Sequence, residues 1–243
     1  MDIAIVACGV RSGYLFDAFA IRDRRTTLKD VLGDFLTSLR EEHPLFSDVV
    51  VVNEPSSDQL FFVNVRRIQA RATAEDLTSS VLFIQLEGPH AQRTICPPQL
   101  LSLFEHIKSS TQEGRSVRLI TLPDDDLDIG TMVAFAACIL EFPVAYVPTS
   151  GENEGPFLAG VPLDVYEGVL EANTSVTPVA LPGRHVLMKF SCPQHIGRGA
   201  HNFRPEVVVR GLKGKLDERL RSAAFPGTVT VKHYTETLDR VAL

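Results

Sequence analysis

The chain of 243 residues has no tryptophan, three methionines and four cysteines, and no two cysteines form a CxxC pair. Cys8 and Cys138 lie inside apolar runs, where a thiol packs as a small hydrophobe, so the cysteines predict packing rather than a structural zinc site. No GxGxxG, P-loop, HExxH or GxSxG pattern occurs, which removes the usual signals for dinucleotide, nucleotide, zinc-peptidase and serine-hydrolase chemistry. There is no internal repeat and no low-complexity tract. Nor is there an excess of positive charge: 24 basic against 30 acidic residues give a net charge of −6, so no overall field attracts phosphate backbones or anionic lipid. Basic clusters at "IRDRR" (21–25), "VRRIQAR" (65–71) and "RGLKGKLDERLR" (210–221) read as solvated surface. The apolar start, "MDIAIVACGV", carries Asp2, lacks a basic flank and is too short to span a bilayer. The expectation is therefore a cytoplasmic or nuclear protein with no membrane partner and no nucleic-acid partner.

What is present is ordinary globular composition, 44% apolar and 22% charged, in a chain long enough to build one core without staples. "TTLKDVLGDFLTSLREEH" places Leu28, Val31, Leu32, Phe35, Leu36 and Leu39 at the helical repeat, with Thr27 and Asp30 in capping-box spacing. Residues 2–8 and 14–21 read as two strands, or as a segment and a strand, separated by the turn-like "GVRSG". "DVVVV" (48–52) and "LFFVNVRRI" (60–68) flank a turn-rich "NEPSSDQ" and predict an antiparallel pair. From residue 79 the pattern alternates between strand and helix as βαβ units do. These readings predict a single α/β domain over 1–243, with three layers and a mixed, mostly parallel, Rossmann-like sheet. Its central strands are 80–87, 116–122 and 142–147, and its flanking helices 27–41, 97–110, 127–141 and 204–223. "HVLMKFS" (185–191) and "TVTVKHY" (228–234) add further β segments.

In an open α/β sheet, ligands bind beyond the carboxyl ends of strands, and "PDDDLD" follows one such strand and opens a helix. Asp124, Asp125, Asp126 and Asp128 are clustered there; carboxylates so placed suit a hard cation such as Mg²⁺. The same acids also suit a helix start, where Asp128 with Thr131 behind it, or Asp126, caps the first turn and the dipole favours the rest. Asp17 stands in the apolar run "YLFDAFAI", and a carboxylate there asks for a partner. The loop "TSGENEGPF" follows another strand, so Ser150, Glu152, Asn153 and Glu154 form a second candidate ligand-binding set at the strand ends. Cys192 with His195 and His201 in "SCPQHIGRGAH" are neighbours in sequence, which says little about geometry; His90, just past a strand with Glu87, stands where a general base can act, although a lone loop histidine is usually surface.

Two resemblances bear on these residues. "YLFDAFAI" together with "LITLPDDDLDIGTMVAFAACILEFPVAYV" resembles the PIN-like metal-dependent nucleases. That likeness implies Mg²⁺ or Mn²⁺ held by Asp17, Asp124 and Asp126, with Asp128 or Glu87 as further ligands. The order of "GVRSGYLFDAF", "FPVAYVPTSGENEGPFLAGVPLDVY" and "LMKFSCP" resembles an uncharacterised eukaryotic family typified by a human chromosome 1 open-reading-frame product, which has no assigned activity and so implies no role. Two function classes follow. One is a non-catalytic module binding a small molecule or a protein; the other is a Mg²⁺-dependent phosphoester hydrolase using the acidic cluster.

Overall fold

The structure, a computed structural model, describes residues 1–17, 27–71, 73, 76, 79–112, 117–123, 127–149, 157–172 and 183–239. The chain divides into two compact units, each assembled from separated segments. Unit 1 comprises Met1–Leu77, Pro97–Leu127 and Ile139–Glu141; unit 2 comprises Thr78–Cys96, Asp128–Cys138 and Phe142–Leu243.

Unit 1 is a four-stranded sheet with helices. Its elements are α1 (Asp2–Ala7), β1 (Gly13–Leu15), α2 (Leu28–Glu42), β2 (Val49–Glu54), β3 (Gln59–Asn64) and α3 (Val65–Gln69). The second half of chain in this unit adds α4 (Pro98–Gln112) and β6 (Leu119–Thr121). The strand order is β1-β3-β2-β6. β2 and β3 form the expected antiparallel hairpin, and β6 adds to the other edge of β2 in parallel. Every residue of β2 is buried, as an interior strand covered on both faces requires. Leu32 and Leu36 of α2 pack with Val49, Val51, Leu60 and Phe62 of the sheet and with Val6 and Ala7 of α1. Arg40 fastens α2 to the sheet by donating to the carbonyls of Val49 and Val117.

Unit 2 holds two three-stranded sheets. The first contains β4 (Leu82–Glu87), β5 (His90–Arg93) and β7 (Val144–Pro148) in the order β5-β4-β7. The second contains β8 (Pro162–Ala172), β9 (Arg184–Pro193) and β10 (Gly227–Thr237) in the order β10-β8-β9 and is wholly antiparallel. Helices α5 (Ile129–Ile139), α6 (Gln194–Gly197) and α7 (Pro205–Ser222) accompany these sheets, with Ile139 itself counted in unit 1. The core joins Leu82, Ile84, Leu86 and Val144 to Leu163, Val165, Tyr166, Met188 and Phe190, and to Val208 and Leu212 of α7. Tyr166 and Phe190 stack with ring centroids 5.0 Å apart.

The single three-layer, mostly parallel sheet expected from the sequence is not formed. Among the described residues there are three small sheets of four, three and three strands, with parallel and antiparallel pairs mixed. Of the three strands expected to lie side by side, β4 and β7 do pair in parallel, but β6 pairs with β2. The physical reason is that an apolar run states that a strand is buried, not which edge it joins. The β2–β3 hairpin leaves one edge of β2 open to β6, and the β4–β5 hairpin, turning at Gly88 with φ +54°, closes one edge of β4. The Rossmann-like expectation falls with the sheet. Residues 2–7 are helical rather than extended, an ambiguity inherent in short apolar runs without alternation.

Candidate functional site

Among the described residues no helix is long and apolar enough to cross a membrane, and no three His, Cys, Asp or Glu side chains converge as a metal would need. Asp17 is exposed just past β1, where its Oδ1 accepts from the Tyr14 hydroxyl at 3.2 Å. The strand expected over 14–21 is shorter than that, since β1 ends at Leu15 and Asp17 lies beyond it. Asp124, Asp126, Ser150, Glu152, Asn153 and Glu154 lie outside the described residues. Asp128 is seen at work: its Oδ1 accepts from the Thr131 backbone N–H at 2.7 Å and its Oδ2 from the Thr131 hydroxyl at 3.1 Å. This is the N-cap of α5. Gly130 is required beside it, because a Cβ there would stand 2.8 Å from the Pro148 carbonyl oxygen.

The histidines and cysteine singled out in sequence do not assemble a nucleophile. Burial, with the Asp164 charge beside it, pushes the Cys192 thiol up to about 12, so it is not a thiolate near neutrality. His195 is exposed and reaches the Ala91 carbonyl at 3.4 Å, and His90 is exposed on β5 opposite Glu87.

A polar centre the sequence reading missed lies on β8. Asp164 is buried, with its side chain 1% exposed. Arg198 donates from Nε to Oδ2 at 3.1 Å and from Nη2 to Oδ1 at 2.9 Å, a bidentate grip. Gln194 Nε2 reaches Oδ1 at 3.2 Å, and His233 Nε2 stands 2.9 Å from the same oxygen. Burial alone would raise this carboxyl, but the hydrogen bonds from Arg198 and His233 outweigh it and hold the group below the usual carboxylate range. The signal was legible: "VPLDVY" places an acid in an apolar run by the same criterion that drew attention to Asp17.

The network fixes β10. His233 and Thr235 belong to that strand; His233 binds Asp164 and lies over Tyr166, with centroids 5.1 Å apart, while Thr235 accepts from Gln194 Nε2 at 2.8 Å. Side chains alternate along a strand, so Lys232, Tyr234 and Glu236 share the opposite face, where Lys189 Nζ lies 6.0 Å from the Tyr234 ring centroid. Lys232 and Tyr234 are exposed. β10 keeps register with β8 without a bulge from Gly227 opposite Ala172 to Thr237 opposite Pro162. Among the described residues no strand pairs with its outer side. Among the described residues the result is an edge that no strand covers, free of proline and held from one face.

No protein-family model, curated protein or solved structure matches this chain.

Proposed function

We propose that this protein is a non-catalytic protein-binding module that receives a partner's strand along the outer edge of β10. The observation that carries this reading is the uninterrupted eleven-residue edge held in place by Asp164 and Gln194. An unpaired row of backbone N–H and C=O groups is a template for another strand, and natural edges are commonly bulged, covered, shortened or charged to prevent pairing. β10 has no bulge, no proline and a fixed backbone, so little ordering is needed when a strand adds. Phosphoester hydrolysis through Asp17, Asp124 and Asp126 draws less support, because Asp17 is an exposed hydrogen-bond partner of Tyr14 and Asp128 serves the helix. The module belongs in the cytoplasm or nucleus, where cysteines that form no disulfide stay reduced.

The test is a photo-cross-linking amino acid placed at Tyr234 in the full chain expressed in cells. The expected result is a covalent adduct with a discrete polypeptide, lost when Thr235→Pro removes a backbone donor from β10. Absence of any adduct overturns the proposal. A parallel titration with Mg²⁺ or Mn²⁺ is expected to leave the melting temperature unchanged; a rise abolished by Asp17→Asn would favour the hydrolase instead.

A further inference from the structure

Resting on that reading, the geometry points to a second copy of this chain as the partner, with two β10 strands pairing antiparallel about a two-fold axis at Tyr234. A two-fold perpendicular to a sheet pairs residues of like parity and is self-complementary by construction. With the axis at Tyr234, Tyr234 faces its counterpart, His233 faces Thr235, and Lys232 faces Glu236, twice.

Neighbouring registers lack this match. An axis at Lys232 sets lysine against lysine. One at His233 sets Lys232 against Tyr234 and Glu236 against Thr230, and one at Thr235 sets Glu236 against Tyr234. Opposite charges directly across an antiparallel pair stabilise it, and like charges there oppose it. Lysine on an edge guards against indiscriminate pairing; here the glutamate four residues on lifts that guard in one register alone.

The surroundings agree with a flat docking strand. Tyr234 is 39% exposed, an unusual position for a large aromatic, and aromatic pairs across strands are among the favourable ones. Thr228, Val229, Thr230, Val231, Tyr234 and Thr235 are strand formers. Asp164 and Gln194 hold His233 and Thr235 from the inner face, so the outer edge is presented without being needed for the fold of β10 itself.

The experiment is sedimentation velocity on the full chain over a concentration series. The wild type is expected to pass from one chain to two as concentration rises. Lys232→Glu alone sets acid against acid, and Glu236→Lys alone sets lysine against lysine; each should weaken the dimer by about tenfold or more. The double variant Lys232→Glu/Glu236→Lys should return to within about threefold of the wild type, and mixing the two single variants should yield a heterodimer of them. Lys232 is exposed and Glu236 half-buried, and circular dichroism establishes that each variant is folded.

A wild type that stays a single chain throughout overturns the inference, as does a dimer indifferent to the single charge reversals or one the double reversal fails to restore. The two proposals fail separately. If the wild type is a single chain and the cross-linker at position 234 still captures a different polypeptide, strand addition stands and self-pairing falls; if it captures nothing, both fall.

Discussion

Glu141 in unit 1 and Asp164 in unit 2 are both carboxylates sealed from water, yet their partners stand in opposite situations. Glu141 is fully buried and accepts from the Ser12 backbone N–H at 3.0 Å and from Arg71 Nη1 at 2.9 Å. Its charge also supports Arg11, whose side chain is only 7% exposed and whose guanidinium burial pulls downward from its usual value, against the charges of Asp2 and Glu141. Asp164 is held by Arg198, 52% exposed, and by His233, 27% exposed. The cost of losing a buried charge is set by what the surviving partner can do next. Arg198 can turn into water and His233 is part-exposed, whereas Arg11 is sealed on all but 7% of its side chain. The backbone repeats the contrast: Glu141 is held at φ +63°, a conformation that side chains bearing a Cβ rarely adopt.

The largest expected effect is therefore in unit 1. Glu141→Gln keeps the shape and an acceptor for the Ser12 N–H but removes the charge paired with Arg71 and leaves Arg11 only Asp2 at 3.8 Å, and should cost about 3 to 5 kcal/mol in urea unfolding. A loss under about 1 kcal/mol would mean that Arg11 reaches water, and the contrast would collapse.

Asp164→Asn comes second, at about 1 to 3 kcal/mol, because its partners recover hydration. It has a distinct pH signature. The folded carboxyl lies below its unfolded value near 3.9, so the folded state binds this proton less readily. Its stabilisation is complete above about pH 4 and is lost as pH falls through the folded value. Thermal unfolding of Asp164→Asn should accordingly show a shallower acid limb than the wild type as pH falls below about 4. Equal slopes would remove Asp164 from the acid response.

Third in size, and of opposite sign, is Ser12→Ala. The Ser12 hydroxyl is buried and has no hydrogen-bond partner among the described residues, as is also true of Arg11 Nε. Removing an unsatisfied polar atom should stabilise unit 1 by up to about 1 kcal/mol. Destabilisation would show that the hydroxyl is satisfied in solution, and would bring the unit 1 cluster closer in kind to the saturated network around Asp164.

The same two regions show what a single sequence carries. Local elements were legible: α2, expected over 27–41, spans Leu28–Glu42, the β2–β3 hairpin pairs as its turn residues indicate, and the helix expected over 204–223 spans Pro205–Ser222. Each depends on a period or a turn that neighbours in sequence define. Pairing over distance was not legible, so β6 was assigned to the wrong sheet. β8, the central strand of its sheet, gave no clear strand signal because Leu163 and Val165 are buried on one face and Tyr166 and Leu170 on the other, which erases the alternation. Asp164 itself was readable as an acid in the apolar run "VPLDVY", but its partners were not. The cap at Asp128 was readable because it is local, while the convergence of Arg198 and His233 on one carboxylate spans 34 and 69 residues and leaves no trace in spacing.

The smallest expected effect compares glycines inside helices of the two units. A Cβ at Gly33 in α2 of unit 1 would rest 4.0 Å from the Arg118 side chain, and Cβ atoms at Gly211 and Gly214 in α7 of unit 2 would meet nothing within 4 Å. None is at a positive φ, so none is needed for backbone geometry. A glycine within a helix carries excess conformational freedom into the unfolded state, and alanine restricts it at no steric cost. Each of Gly211→Ala and Gly214→Ala should therefore raise stability by about 0.5 to 1 kcal/mol, with Gly33→Ala similar in sign. The two α7 changes should add, because both side chains point into solvent without a shared partner. Since Gly211 and Gly214 are exposed and an added Cβ at either meets nothing within 4 Å, these substitutions should leave the monomer–dimer equilibrium of the chain untouched. A variant that stabilises the fold but loses the dimer would move the docking surface from β10 to the exposed face of α7.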